Sequence, residues 1–211
     1  MLQKETVDSE TLELLKVLMV DERLKNFILV GGTALSLQIG HRHSIGLDLI
    51  TQDVFNPMDL LAYLTERYCF QSTSISNATI LGKFNHVKTD FIRHHYKNVK
   101  PVIECENIRL ASLEDISAMK LNAIVQNGSR LKDFIDIAFL SYYLPLNEMV
   151  DNYITKYEIV NSIMAIKGIA FHDDINFSEA VFLMGKDLDW RKIEKRIAEM
   201  LKYPQKIFDP F

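Results

Sequence analysis

Four apolar residues, Phe27-Ile28-Leu29-Val30, run directly into Gly31-Gly32-Thr33, and a second apolar stretch, Ile45-Gly46-Leu47-Asp48-Leu49-Ile50, carries a lone aspartate. The first pattern predicts a buried strand that stops abruptly where a helix begins. Glycines at such a junction let the backbone approach a neighbour closely, and amides at a helix start attract phosphate. Strand alternation puts the Asp48 carboxylate on the face opposite Leu47 and Leu49. Together the two stretches imply a phosphate cradle with a metal ligand beside it.

The flanking text supplies the rest of an α/β chain. Leu12, Leu15, Leu18 and Met19 fall at helical steps, predicting an amphipathic helix over 9–24. Strands are predicted over 27–31 and 46–51, with a short helix from Thr33, capped by its own hydroxyl. Pro57 suits the first turn of a helix that reaches about Tyr68. Between 72 and 92 the residues turn polar and β-branched. In that stretch Val87, Thr89 and Phe91 share one strand face, and Lys88 and Asp90 share the other. Short strands are predicted at Val102-Ile103-Glu104-Cys105 and Ile108-Arg109-Leu110. Ser112 with Asp115 reads as a variant capping box opening a helix to about Gln126, and another helix follows over 131–143. Beyond Pro145 the text is a series of short helical patterns at 147–154, 156–165 and 189–201, the last with Asp189 as its cap, and then an irregular tail. The expectation is a mixed sheet of about five strands flanked by helices over residues 1–110, followed by a helical region over 111–211.

Composition narrows the function classes. Acidic residues number 28 against 24 basic ones, so the chain as a whole is no electrostatic sponge for nucleic acid. A local basic stretch remains at Arg93, His94, His95, Lys97 and Lys100. Cys69 and Cys105 are far apart and form no zinc pattern, which fits a reducing compartment. The start, Met1-Leu2-Gln3-Lys4-Glu5, lacks the apolar core of a signal peptide, and no apolar run is long enough to span a bilayer. A cytoplasmic protein without a membrane partner is expected. His41 and His43 have HxH spacing but no third ligand at useful spacing, so a supporting or surface role is expected for both.

Strand, Gly-Gly, short helix and acid-bearing strand, in that order, resemble the polymerase-beta-like nucleotidyltransferase superfamily. The longer run GGTALSLQIGHRHSIGLDLIT resembles its AbiEii/AbiGii-type toxin branch, whose usual text is Gly-Gly-Thr-x-Leu, then Gly-His-Arg-x-Ser, then Asp-h-Asp-h-Phe with h apolar. A second block, Asp115-Ile116 to Lys120-Leu121-Asn122-Ala123-Ile124 and then Arg130-Leu131-Lys132-Asp133-Phe134-Ile135-Asp136, resembles the same branch. Two ordered blocks are far more specific than a lone Gly-Gly.

The resemblance implies transfer of a nucleotide from an NTP, with Mg²⁺ or Mn²⁺, to a tRNA or protein hydroxyl. It also implies a bacterial toxin–antitoxin or phage-defence setting with a separate antitoxin protein. Asp48 matches the second acid of the strand pair, and Asp90 fits the third acid from a neighbouring strand; both are candidate metal ligands and catalytic groups. Gly31, Gly32 and Thr33 are the candidate phosphate cradle. Arg42 and Ser44 either bind phosphate or brace the acid strand. Lys120 and Lys132 are candidate triphosphate contacts. Asp133 lies one helical turn from Asp136 and either acts on the attacking hydroxyl or pairs with Lys120 or Arg130. The glycines, Asp48, Asp90 and Lys120 are expected to share one cleft.

Two positions depart from the branch. Gly46 stands where the first acid of the pair belongs, and Asn127 where many relatives carry arginine. The first departure keeps a second reading open, a nucleotide-binding or interaction module of the same fold without turnover. A third reading is a nucleotidyltransferase with a small, antibiotic-type acceptor.

Overall fold

Leucines at helical spacing build α1 (Ser9–Met19), which buries Leu12, Leu15, Leu18 and Met19. The helix ends short of the 9–24 expected. Asp21 accepts a hydrogen bond from the Arg23 amide and starts a separate 3-10 turn, Glu22–Leu24. Arg109 fastens this turn from below, donating from Nη1 to the Met19 carbonyl, from Nη2 to that of Leu24 and from Nε to that of Phe27 at 2.7–3.1 Å. The Met19 carbonyl is one that the end of α1 leaves short of partners.

The computed structural model describes residues 1–185, 187 and 189–211. After the turn come β1 (Ile28–Val30), α2 (Gly31–Ile39), β2 (Gly46–Thr51) and α3 (Pro57–Tyr68). Then follow β3 (Gln71–Ser76), β4 (Thr79–Phe84), β5 (Val87–Arg93), β6 (Ile103–Cys105) and β7 (Ile108–Leu110). All seven strands form one sheet in the order β3-β4-β5-β2-β1-β7-β6. It is mixed: β2 runs antiparallel to β1 and parallel to β5, and β1 runs parallel to β7. Seven strands exceed the five expected. The surplus lies at the edges, where β3 is exposed along its whole length and so shows no apolar alternation to read.

Met1–Lys97 and Val102–Ala111 form one compact unit; Asn98–Pro101 and Ser112–Phe211 form a second. In the first unit an aromatic cluster fixes the sheet. Phe91, fully buried on β5, meets Phe27 edge-on at 5.5 Å and Phe70 at 5.9 Å, and Phe70 meets Phe84 at 4.7 Å. Because Phe91 follows Asp90, this cluster takes one face of β5 and leaves the other to the carboxylate.

The same unit holds a buried acid that nothing in the sequence announced. Asp21 accepts hydrogen bonds from the hydroxyls of Tyr63, at 2.6 Å, and Tyr68. Burial pushes the Asp21 carboxyl up, but the two phenols, the Arg23 amide and nearby Arg67 outweigh it and hold the group below the usual carboxylate range. The bond to Asp21 pushes the Tyr63 hydroxyl up to about 12. A raised value in the folded state means that this contribution to stability is complete below the ordinary phenol value near 10 and is lost as pH rises through 12. An NMR titration should place the Tyr63 midpoint well above that of a free phenol, and Asp21→Asn should bring it back toward about 10. A Tyr63 midpoint near 10 in the parent chain would show that the bond does not form.

The second unit comprises α4 (Leu113–Gln126), α5 (Leu131–Leu140), α6 (Leu146–Tyr157), α7 (Ile163–Ala170) and α8 (Trp190–Lys202). Ser112 caps α4 as expected, accepting from the Asp115 amide at 3.0 Å. Asp189 caps α8 through the Arg191 amide. Asp115 is fully engaged: it accepts from the amides of Val99 and Lys100, from the Ser112 hydroxyl and from buried Lys156 Nζ at 2.7 Å. Those two amide bonds explain why Asn98–Pro101 belongs with the second unit.

The expected helices 147–154 and 156–165 are displaced. The first continues to Tyr157 because Tyr153, Lys156 and Tyr157 are all buried, and it ends at Glu158 in the left-handed region (φ 53°). The helix expected over 131–143 stops at Leu140, before Pro145. The C-terminal tail is irregular, as expected, yet it is docked. Buried Arg196 lies over the rings of Tyr142, Phe208 and Phe211 at 4.5–5.1 Å and donates to the Asp209 carbonyl and the Ser141 hydroxyl. No helix among the described residues is long and apolar enough to cross a membrane.

Candidate active site

Strand register brings the acids together. Val30, the last residue of β1, pairs with Asp48, and Asp48 pairs on its other side with Asp90 of β5. Residues paired across neighbouring strands project from the same face, so the two carboxylates stand side by side. Asp48 is half-buried and Asp90 is 5% exposed. Asp90 Oδ2 takes an ion pair from Lys88 Nζ at 2.9 Å, whereas the buried Oδ1 has no hydrogen-bond partner. A buried carboxylate oxygen without a donor is costly and uncommon in a folded protein.

The double glycine closes over these acids. Since β1 passes into α2 without a loop, Gly31 follows the residue paired with Asp48. Its φ of +71° suits glycine, and a Cβ built there would overlap Asp48 Oδ2. A Cβ on Gly32 would overlap Arg42 Nη2. Both glycines are therefore required by close approach, the first also by its backbone. Helix α2 begins at Gly31 rather than at Thr33, and Val30 at its N-cap offers no side-chain hydrogen bond. Its first amides are thus left to whatever sits before the helix.

Thr33 does not cap the helix as expected. Its buried hydroxyl instead donates to the Gly46 carbonyl and lies 2.8 Å from Ser44 Oγ, tying α2 to the entry of the acid strand. Arg42 is 4% exposed and donates to the His43 carbonyl at 3.0 Å. Ser44 thus meets α2, and Arg42 meets the chain leading into β2. His41 is buried rather than at the surface, while His43 is exposed.

Lys120, Lys132 and Asp133 are placed in the second unit. Lys120, 6% exposed, forms ion pairs of 2.6 Å with both Asp133 and Asp136. Arg130 Nε lies 3.5 Å from the other oxygen of Asp133. Lys132 is held by Glu179 at 2.7 Å. A concavity of about 590 Å³ in this unit, lined in part by Asn127, Gly128, Lys167 and Asp174, contains none of the expected site residues.

The first-unit arrangement fits a hard divalent cation. It offers two adjacent carboxylates, one with a buried free oxygen, and oxygen donors are what Mg²⁺ and Mn²⁺ take. It is a lean site, because no group of three or more His, Cys, Asp or Glu residues able to hold a metal occurs among the described residues. Lys88 was legible only as a face-mate of Asp90; its ion pair and the Asp115–Lys156 pair escaped the sequence reading. The spacing of two residues between Lys88 and Asp90 was the available signal.

The fold has counterparts. A protein from Helicobacter pylori, JHP933, superposes with a TM-score of 0.58 at 16% identity, over 94% of this chain and 93% of that one. An antigenic nucleotidyltransferase-like protein from Paracoccidioides brasiliensis superposes with a TM-score of 0.56 at 17% identity, over 96% of each chain. At such identities the likeness is one of fold. An uncharacterised protein of Aquifex aeolicus (strain VF5) is 27% identical over 193 residues, 84% of this chain and 87% of its own length. The model of the family described as nucleotidyl transferase AbiEii toxin, type IV toxin–antitoxin system, matches residues 13–206. With both sequence blocks inside that match, the chain belongs to the AbiEii nucleotidyltransferase toxin family.

Proposed function

We propose that this protein binds an NTP with Mg²⁺ or Mn²⁺ at the face formed by Gly31, Gly32, Asp48 and Asp90, and transfers its nucleotide only weakly to a tRNA or protein hydroxyl. The observation that carries this reading is the strand register that sets Asp48 beside Asp90, directly under the glycine start of α2. Free amides at that helix start suit phosphate oxygens, and the bare Gly31 and Gly32 let a phosphate come close.

In the transfer the acceptor hydroxyl attacks the α-phosphorus, the bond to the β-phosphate bridging oxygen breaks, and pyrophosphate leaves; the hydroxyl proton passes to solvent. Asp48 and Asp90 would hold a divalent ion, which when bound would neutralise charge on the phosphate oxygens and make the attacking hydroxyl more acidic. Arg42 and Ser44 keep the glycine turn and acid strand aligned, and Thr33 locks α2 to Gly46. The resemblance also makes Lys120 and Lys132 candidate triphosphate contacts and leaves Asp133 either to the acceptor hydroxyl or to a pair with Lys120 or Arg130. Their ion pairs support a structural task in the second unit for all three. The reading extends to a toxin whose action a separate antitoxin protein restrains, in a bacterial or phage-defence setting.

Gly46 favours a second reading, nucleotide binding without turnover, because the first acid of the strand pair is missing. Transfer of label from α-labelled NTP to total tRNA and to protein, by the parent chain and by Gly46→Asp, separates the two. Strong transfer by neither, with every NTP and both acceptors, leaves only the binding module.

A further inference from the structure

The site that lacks one acid also holds a lysine on the same face. In the pairing of β2 with β5, Gly46 stands opposite Lys88 just as Asp48 stands opposite Asp90. All four therefore belong to one face, with Lys88 where the missing acid's neighbour would be. Lys88 Nζ lies 2.9 Å from Asp90 Oδ2. Its side chain is 71% exposed, against 8% for that of Asp90, so the ammonium reaches in from solvent to a fixed carboxylate.

We infer that Lys88 is a tethered cation that competes with a divalent metal for Asp90, so that the site takes metal poorly as a free ion and chiefly as a complex with nucleotide. This rests on the functional reading above. An ammonium at 2.9 Å already neutralises part of the Asp90 charge, and a divalent ion must displace it to reach Oδ2. Displacement is feasible because an exposed lysine pair is weak and its stem is free to swing out. A bare cation meets repulsion from the ammonium, while a triphosphate that carries the metal brings negative charge and gives the released ammonium a new partner. With Gly46 contributing no carboxylate, the face has Asp48 and Asp90 against Lys88, too little negative charge to hold a free divalent ion tightly.

The test counts bound Mn²⁺ from the loss of the free-ion EPR signal, in the absence of nucleotide. The variants are Lys88→Met, Lys83→Met, Asp90→Asn and Lys88→Met with Asp90→Asn. Lys83 pairs with Lys88 across β4 and β5, so its variant removes an equal charge from the next strand. Lys88→Met should tighten Mn²⁺ binding on the order of tenfold, Lys83→Met far less, and the tightening should vanish when Asp90 is also changed. Unchanged affinity in Lys88→Met, with weakened binding in Asp90→Asn, would overturn the role of Lys88 and leave the metal site standing. Equal tightening by both lysine variants would reduce the effect to general charge and overturn it too. Absence of Mn²⁺ binding in the parent and every variant would overturn this inference together with the site assignment beneath it.

Discussion

A Gly46→Asp variant should transfer nucleotide on the order of a thousandfold faster than the parent chain, or more. Gly46 precedes Asp48 by two residues on β2, so a side chain placed there projects from the same face as Asp48. The space exists: a Cβ at Gly46 meets only the Lys88 carbonyl, at an ordinary 3.5 Å, and the backbone is not in the left-handed region. The added carboxylate supplies an anionic metal ligand that water replaces poorly in the parent, and it steadies the attacking hydroxyl. Stability should change by only about 1 kcal/mol, the scale of glycine flexibility within a strand. The measurement is the initial rate of label transfer to tRNA and protein, with Asp48→Ala in the Gly46→Asp background as the control for site chemistry. Equal and robust rates in parent and variant would show that position 46 takes no part in metal binding.

Lys120→Met should produce the largest loss of stability, about 3–5 kcal/mol. Its ammonium is shared between Asp133 and Asp136 at 2.6 Å each, and all three side chains are nearly inaccessible to solvent. Removing the cation leaves two buried carboxylates one turn apart on α5, with Arg130 Nε 3.5 Å from Asp133 at the rim. Replacing the whole triad with apolar residues should be far milder, since it removes the buried charges as well. Urea denaturation of the two variants makes the comparison. A loss under about 1 kcal/mol for Lys120→Met would mean that the acids are hydrated and that the lysine is not structural.

Much of this was legible because it follows from period and punctuation. The apolar run into Gly31-Gly32, the alternation around Asp48 and Asp90, and the Ser112 cap all act through neighbours in sequence, and the resemblance led to the nucleotidyltransferase fold that the comparisons show. What escaped depends on partners distant in sequence. Thr33 has a cap residue's chemistry, yet Gly46 and Ser44 claim its hydroxyl from thirteen and eleven positions away. Asp21 looks like any turn acid until Tyr63 and Tyr68 reach it from α3. Lys120 is legible both as a triphosphate contact and as a partner of Asp133, and what packing adds is its burial, which no sequence period announces. Glu158 ends α6 in a left-handed conformation that glycine or asparagine normally marks, so the helix boundary carried no readable signal.

The central claim is that Asp48 and Asp90 together make the nucleotide–metal site, and calorimetric titration of the protein with a non-hydrolysable NTP in the presence of Mg²⁺ tests it most directly. The parent chain should bind saturably, and a folded Asp48→Asn/Asp90→Asn double variant should lose that binding, as should the parent when the metal is chelated. Undiminished, metal-independent binding by the double variant would contradict the account.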